Sequence, residues 1–172
     1  MCPCDFHFVE FLRASNIQDK NIFHFGTGGH HLVGQENLNL AHPNRIMGIT
    51  AAAKEHAAFI KHTFKDKRLA KYYTVLFKDI YTLTTRDLPK FDYISLFHLC
   101  EFYVPENQEY VNQDDETLLD LFLSHLTPGG KLLFYSGSAA WDRTEKIIER
   151  FVNDGKIEKS ESFKSIVIYK ST

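Results

Sequence analysis

Cysteine is scarce: Cys2, Cys4 and Cys100 are the only three among 172 residues, too few and too unevenly spaced for a disulfide framework, which points to a reduced, cytoplasmic setting. The first residues lack the basic stretch and long apolar run of a secretory signal. No apolar run approaches the roughly 20 residues that cross a bilayer, so no membrane partner is expected. An excess of charge of one sign is missing too. With 20 Lys+Arg against 22 Asp+Glu the formal net charge is -2, so no overall basic field exists to condense on a nucleic-acid backbone. Repeats, low-complexity tracts and linkers are absent, and residues 1–172 are expected to form a single domain, with 1–20 as a helical extension ahead of the first strand.

Aromatic residues and histidine are plentiful. Phe, Tyr and Trp make up 14% of the chain, and five of the nine histidines (His7, His24, His30, His31, His42) precede residue 50. Phe8, Phe11 and Leu12 recur at helical spacing over 6–14. The run 21–25 reads as a buried strand entering the glycine loop Gly26-Thr27-Gly28-Gly29, and 45–50 as a second strand. A long helix is expected over 51–70 with Phe59, Ile60 and Phe64 on one face and Thr50 at its N-cap position, followed by strands at 72–77 and 93–97. Asp114, Asp115 and Glu116 suit the N-terminus of a helix over 118–126, which stops at Thr127-Pro128-Gly129-Gly130 before a fifth strand at 131–135. A helix at 144–153 and two closing strands at 156–163 and 165–170 complete the order.

Alternation of strands and helices predicts an α/β fold: a Rossmann-like, doubly wound, mainly parallel sheet with a C-terminal antiparallel hairpin. Ligands in such sheets bind beyond the carboxyl ends of the strands where strand order reverses, so Gly26 to Gly29, Thr50 and Asp79 should converge, with Phe97 and His98 beside them.

The ordered set Phe25-Gly26-Thr27-Gly28-Gly29, Met47-Gly48-Ile49, Lys78-Asp79-Ile80, Phe91-Asp92-Tyr93-Ile94 and Leu126-Thr127-Pro128-Gly129-Gly130-Lys131 resembles the class I S-adenosylmethionine-dependent methyltransferases over most of the chain. The resemblance implies S-adenosylmethionine as cofactor and S-adenosylhomocysteine as product. It implies cofactor contacts at Phe25, Gly26, Thr27, Gly28, His30, Thr50, Asp79, Ile80 and Phe97, with Asp79 accepting from the adenine amine. A plain tight turn at the glycines and a simple loop aspartate are the alternatives.

The chain departs from the family's pattern in its first and second cofactor motifs. His24 stands where the family commonly has an acid two places before the first glycine, and His30 matches the third glycine. Thr50 stands where an acid commonly holds the ribose diol. One hydroxyl cannot chelate two hydroxyls as a carboxylate does, which weakens cofactor binding or leaves the ribose to a neighbour such as His30 or His31.

Methyl transfer from a sulfonium is a displacement in which positioning supplies much of the acceleration. His98 is the expected base, with Glu101 three residues on as its orienting partner; a histidine with no catalytic duty is the alternative. No metal site is expected, because Cys2-x-Cys4-x-x-His7 lacks the usual spacing of structural zinc ligands and His30 and His31 serve as loop hydrogen-bonding groups. The expected function is methylation of a small-molecule acceptor. A methyltransferase-fold binding protein with little or no activity, or other chemistry on the same cofactor, are the rivals. With nearly every residue spent on the cofactor fold, specificity falls to short loops or to a partner subunit, as in a homodimer.

Overall fold

The computed structural model describes residues 2–172. Strands β1 (Asn21–Phe25), β2 (Arg45–Thr50), β3 (Tyr73–Phe77), β4 (Phe91–Ser95), β5 (Leu126–Tyr135), β6 (Ile157–Phe163) and β7 (Ile166–Ser171) form one seven-stranded sheet in the order β3-β2-β1-β4-β5-β7-β6. The first five strands run parallel, and β7 lies antiparallel between β5 and β6, the hairpin expected at the C-terminus. The helices are α1 (Pro3–Ala14), α2 (Leu32–Asn37), α3 (Ala53–Lys65), α4 (Leu69–Tyr72), α5 (Asp115–Ser124) and α6 (Trp141–Asn153). Among the described residues, no helix is long and apolar enough to cross a membrane.

Both sheet faces are covered, which is why the central strands alternate between two apolar layers. Phe23 and Phe25 of β1 face a core completed by Leu118, Leu119 and Phe122 of α5 and Ile147, Ile148 and Phe151 of α6. Ile22 points the other way, into a layer with Phe8, Phe11 and Leu12 of α1 and Tyr73. The buried stripe of α1 (Cys4, Phe8, Phe11, Leu12) follows helical spacing and lays that helix across the sheet.

Five expectations change in detail. The helix expected over 51–70 breaks after Lys65 and resumes as α4. Its inward face is Glu55, Phe59 and His62, which leaves Phe64 82% exposed and Ile60 outward as well. Phe59 and Phe64 are five positions, or roughly 140°, apart on a helix, so only one of them can face the sheet. Thr50 is the last residue of β2, and Ala52 holds the N-cap position of α3. The fourth strand starts and stops two residues earlier than expected, at Phe91 and Ser95, so Leu96 and Phe97 lie beyond its end. Finally, β5 starts at Leu126, with the Thr127–Gly130 turn absorbed as a register shift against β4.

Candidate functional site

Parallel pairing aligns the ends of the first four strands. Phe25 stands beside Ile49, Thr50 beside Phe77 and His24 beside Ser95, so the loops that follow share one edge of the sheet. Strand order reverses between β1 and β4, and there a cleft of about 530 Å³ opens. Its size lies within the range of small-molecule sites. Phe25, Gly26, Gly28, His30, Thr50, Asp79, Ile80 and His98 all line it. Glu101 stands behind His98.

Two of the expected contacts lie elsewhere. Phe97 is 1% exposed and sits in the core, edge-on to Phe8, because β4 ends before it and the chain has already turned. Thr27 is buried against Gly48, beneath the loop and outside the cleft lining.

Gly26 has φ +96, and a Cβ there would lie 2.1 Å from Cδ2 of His98. The glycine therefore lets the first loop and the imidazole touch. His98 Nδ1–H donates to Glu101 Oε2 at 2.8 Å, and Ser138 Oγ donates to the other carboxylate oxygen. With its proton on Nδ1, the neutral ring keeps a lone pair on Nε2. Asp115 holds this turn from below, accepting the Cys100 amide at 2.9 Å and the Tyr81 hydroxyl at 2.7 Å. Burial pushes the Cys100 thiol up to about 11, so it stays protonated in the apolar layer.

At the end of β2, Thr50 Oγ1 donates to Glu55 Oε2 at 2.6 Å and accepts the Ala52 amide at 3.0 Å. A carboxylate thus stands next to Thr50 after all, contributed by the first turns of α3. A second one arrives from α1: Asp5 is buried on the cleft wall, its Oδ1 3.4 Å from Nε2 of His24. His24 Nδ1 and Ser95 Oγ are hydrogen-bonded at 2.8 Å, while Nε2 is buried with no hydrogen-bond partner. Asp79 uses one oxygen to accept the Tyr81 amide at 3.0 Å, which leaves the other for the cleft. Phe102, in the 101–113 link that the sequence offers for an acceptor pocket, lines the wall, whereas sequence reasoning did not single out Cys2, Asp5, Glu55 or Lys78 as wall residues. Glu55 had a signal, an acid in the first turn of the helix after β2; Asp5, in the first turn of α1 with the rest of that helix between it and β1, had none.

His31 closes the glycine loop from inside, at φ +48. Its Nε2–H donates to the Glu55 carbonyl at 2.7 Å, and the Tyr73 hydroxyl donates to Nδ1 at 2.9 Å, so the neutral ring is fully used. Burial holds its pKa below the ordinary 6.5, and burial also lowers neighbouring His62, helped by Lys65. As pH falls through the ordinary value, the unfolded chain takes up a proton that the folded chain resists. Stability is therefore present above about pH 6.5 and is lost below it. Melting temperature should drop between about pH 7.5 and about pH 5.5, and His31→Asn, which tolerates the left-handed backbone, should flatten that slope. An unchanged slope in the variant would assign the acid loss to other groups.

No protein-family model matches the chain, and no curated protein matches it in sequence. Solved structures do match it. Magnesium protoporphyrin IX methyltransferase from Synechocystis, with bound SAM, superposes with a TM-score of 0.68 at 13% identity, over 99% of this chain and 79% of that one. Precorrin-6y C5,15-methyltransferase from Geobacter metallireducens gives 0.65 at 16% identity, over 98% and 87%. The fold is that of the class I S-adenosylmethionine-dependent methyltransferases. The methyltransferase-type sheet is also shared with the cyclase SpnF, at a TM-score of 0.63 and 16% identity over 91% of this chain, which spans 58% of that one.

Proposed function

We propose that the protein is an S-adenosylmethionine-dependent methyltransferase acting on a small-molecule acceptor. The observation that carries this is the convergence, at the reversal of strand order, of the bare Gly26 backbone, the Thr50–Glu55 pair, Asp79 and the His98–Glu101 pair around one cleft. The donor set fits the cofactor. Phe25, Ile49, Ile80 and Phe102 give apolar walls for an adenine ring, and the free oxygen of Asp79 accepts from its amine. Glu55 takes the ribose diol in place of Thr50, and Asp5 faces the cationic amino-acid end in place of His24. When bound, the cofactor supplies an electrophilic methyl group on a sulfonium.

The chain's own residues then hold the acceptor and move its proton. His98 Nε2, with its lone pair free, takes the acceptor proton, and Glu101 fixes the ring and stabilises the imidazolium. Phe102 is 58% exposed at the mouth and offers an aromatic face to an apolar or cationic acceptor.

Calorimetric titration with S-adenosylmethionine or S-adenosylhomocysteine tests the cofactor, and no heat at millimolar ligand would sink it. Glu55→Gln should weaken binding roughly tenfold or more, the size of a lost hydrogen bond to a charged group, with little change in thermal unfolding. Equal affinity in the variant would remove Glu55 from the ribose. Because one fold carries many reactions, mass analysis of an acceptor panel decides the chemistry. A product that gains no methyl group would favour the second reading, other chemistry on this cofactor, as the likeness to a cyclase allows.

A further inference from the structure

We propose that Cys2 and Cys4 in their dithiol form, together with Nε2 of His98, hold a divalent cation of the zinc class on the cleft wall, between the start of α1 and the turn after β4. One ligand atom from each of the three residues lies within 4.8 Å of the others, and Cys4 Sγ is 4.0 Å from His98 Nε2. These residues come from separate elements. Cys2 stands at the N-cap position of α1 and Cys4 lies in its first turn, while His98 is on the turn after β4. The histidines that the sequence sets near the cysteines are engaged elsewhere: His7 with Ser165, His31 with Tyr73 and Glu55. The fold brings His98 to them from 94 residues away.

Three features prepare His98 as a ligand. Glu101 binds its Nδ1–H, Ser138 holds Glu101, and the lone pair is left on Nε2; a carboxylate behind the ring is the usual support of a ligating imidazole. Two thiolates and an imidazole form a donor set that suits zinc. Zinc bonds of roughly 2.0–2.3 Å place tetrahedral ligands about 3.3–3.8 Å apart, so small side-chain rotations close the site. Three protein ligands leave a fourth position, and Cys2 and His98 both line the cleft, so that position faces the ligand space. Asp5 Oδ1, 3.7 Å from Cys4 Sγ, adds negative charge beside it.

Cys2 and Cys4 are joined as a disulfide in this structure. A dithiol reductant breaks that bond, giving up two electrons and two protons and becoming a disulfide itself. Uptake of the cation then forms two metal–sulfur bonds and one metal–nitrogen bond and releases both thiol protons to solvent. The role of the site, though not its existence, rests on the reading as a methyltransferase. An acceptor heteroatom in the fourth position would lose its proton more readily, and His98 would act through the metal rather than as the base itself.

The test needs no cofactor. Reduced full-length protein dialysed against zinc should retain one ion per chain, and cobalt should give a thiolate-to-metal charge-transfer band. Cys2→Ser and His98→Gln should each weaken retention at least about tenfold and diminish or remove the band, whereas His7→Gln should leave both unchanged. Oxidising the cysteine pair should release the ion. Cys4 is fully buried, so if Cys4→Ser fails to fold the half-buried Cys2 carries the test. No retention by the reduced protein, or retention indifferent to Cys2→Ser and His98→Gln, overturns the proposal. Failure of the cofactor titration leaves metal retention standing, and the reverse holds equally.

Discussion

Replacing Gly26 by alanine is expected to weaken binding of S-adenosylhomocysteine by at least about 100-fold and to lower unfolding stability by about 1–3 kcal/mol. Two effects add. Alanine at φ +96 is strained, and its methyl group would stand 2.1 Å from the His98 ring, so either the loop or the imidazole must leave its place. Moving the loop opens the cradle under the ligand; moving the ring breaks the bond to Glu101. Gly129→Ala separates the causes. It too has positive φ, +78, but nothing lies within 4 Å of its new methyl group and it is not part of the cleft lining. It should lose stability and keep affinity, measured by thermal unfolding and calorimetry. Equal affinity losses in both variants would show that general destabilisation, and not the contact with His98, governs binding.

Phe8→Ala should cost about 3–5 kcal/mol, a large part of the total stability of a domain of this size. The ring is wholly buried, stacked on His24 at 5.6 Å and edge-on to Phe97 at 5.4 Å, and it fastens α1 to the sheet. Because α1 also delivers Asp5 to the cleft wall, ligand affinity should fall with stability. Phe151→Ala on α6 offers the comparison: equally buried, but on the opposite face of the sheet, it should cost similar stability and spare affinity. Denaturant unfolding gives the first quantity and calorimetry the second. A Phe8→Ala cost below about 1 kcal/mol would mean that α1 is not part of the core.

The strands were legible because a strand buried on both faces leaves a continuous apolar mark bounded by glycine or polar turns, and β1 and β2 lie where the pattern put them. The face of α3 was not legible. Ile60 and Phe64 look like core residues, yet the helix turns Phe59 and two polar side chains inward, since its packing phase is set by β2, β3 and His31 and not by hydrophobicity alone. Phe97 misled for a similar reason: two residues of shift at the end of β4 move an aromatic ring from the cleft edge into the core. The cleft was legible as a set of strand ends, and most of the expected contacts line it. What stayed hidden was which residues of distant sequence reach the wall, Asp5 above all, because nothing local records which side of the first helix will meet the cleft.

A sequence profile scores columns, whereas a ligand meets atoms. The carboxylate beside the end of β2 belongs to Glu55, five positions beyond Thr50, and the one beside His24 belongs to a helix that precedes the strand. Any comparison keyed on acids at positions 24 and 50 counts this chain as a double mismatch, although both negative groups stand next to those positions in space. Searches for its kin should therefore seek acids by where they stand in the cleft, allowing the residue that bears each one to change.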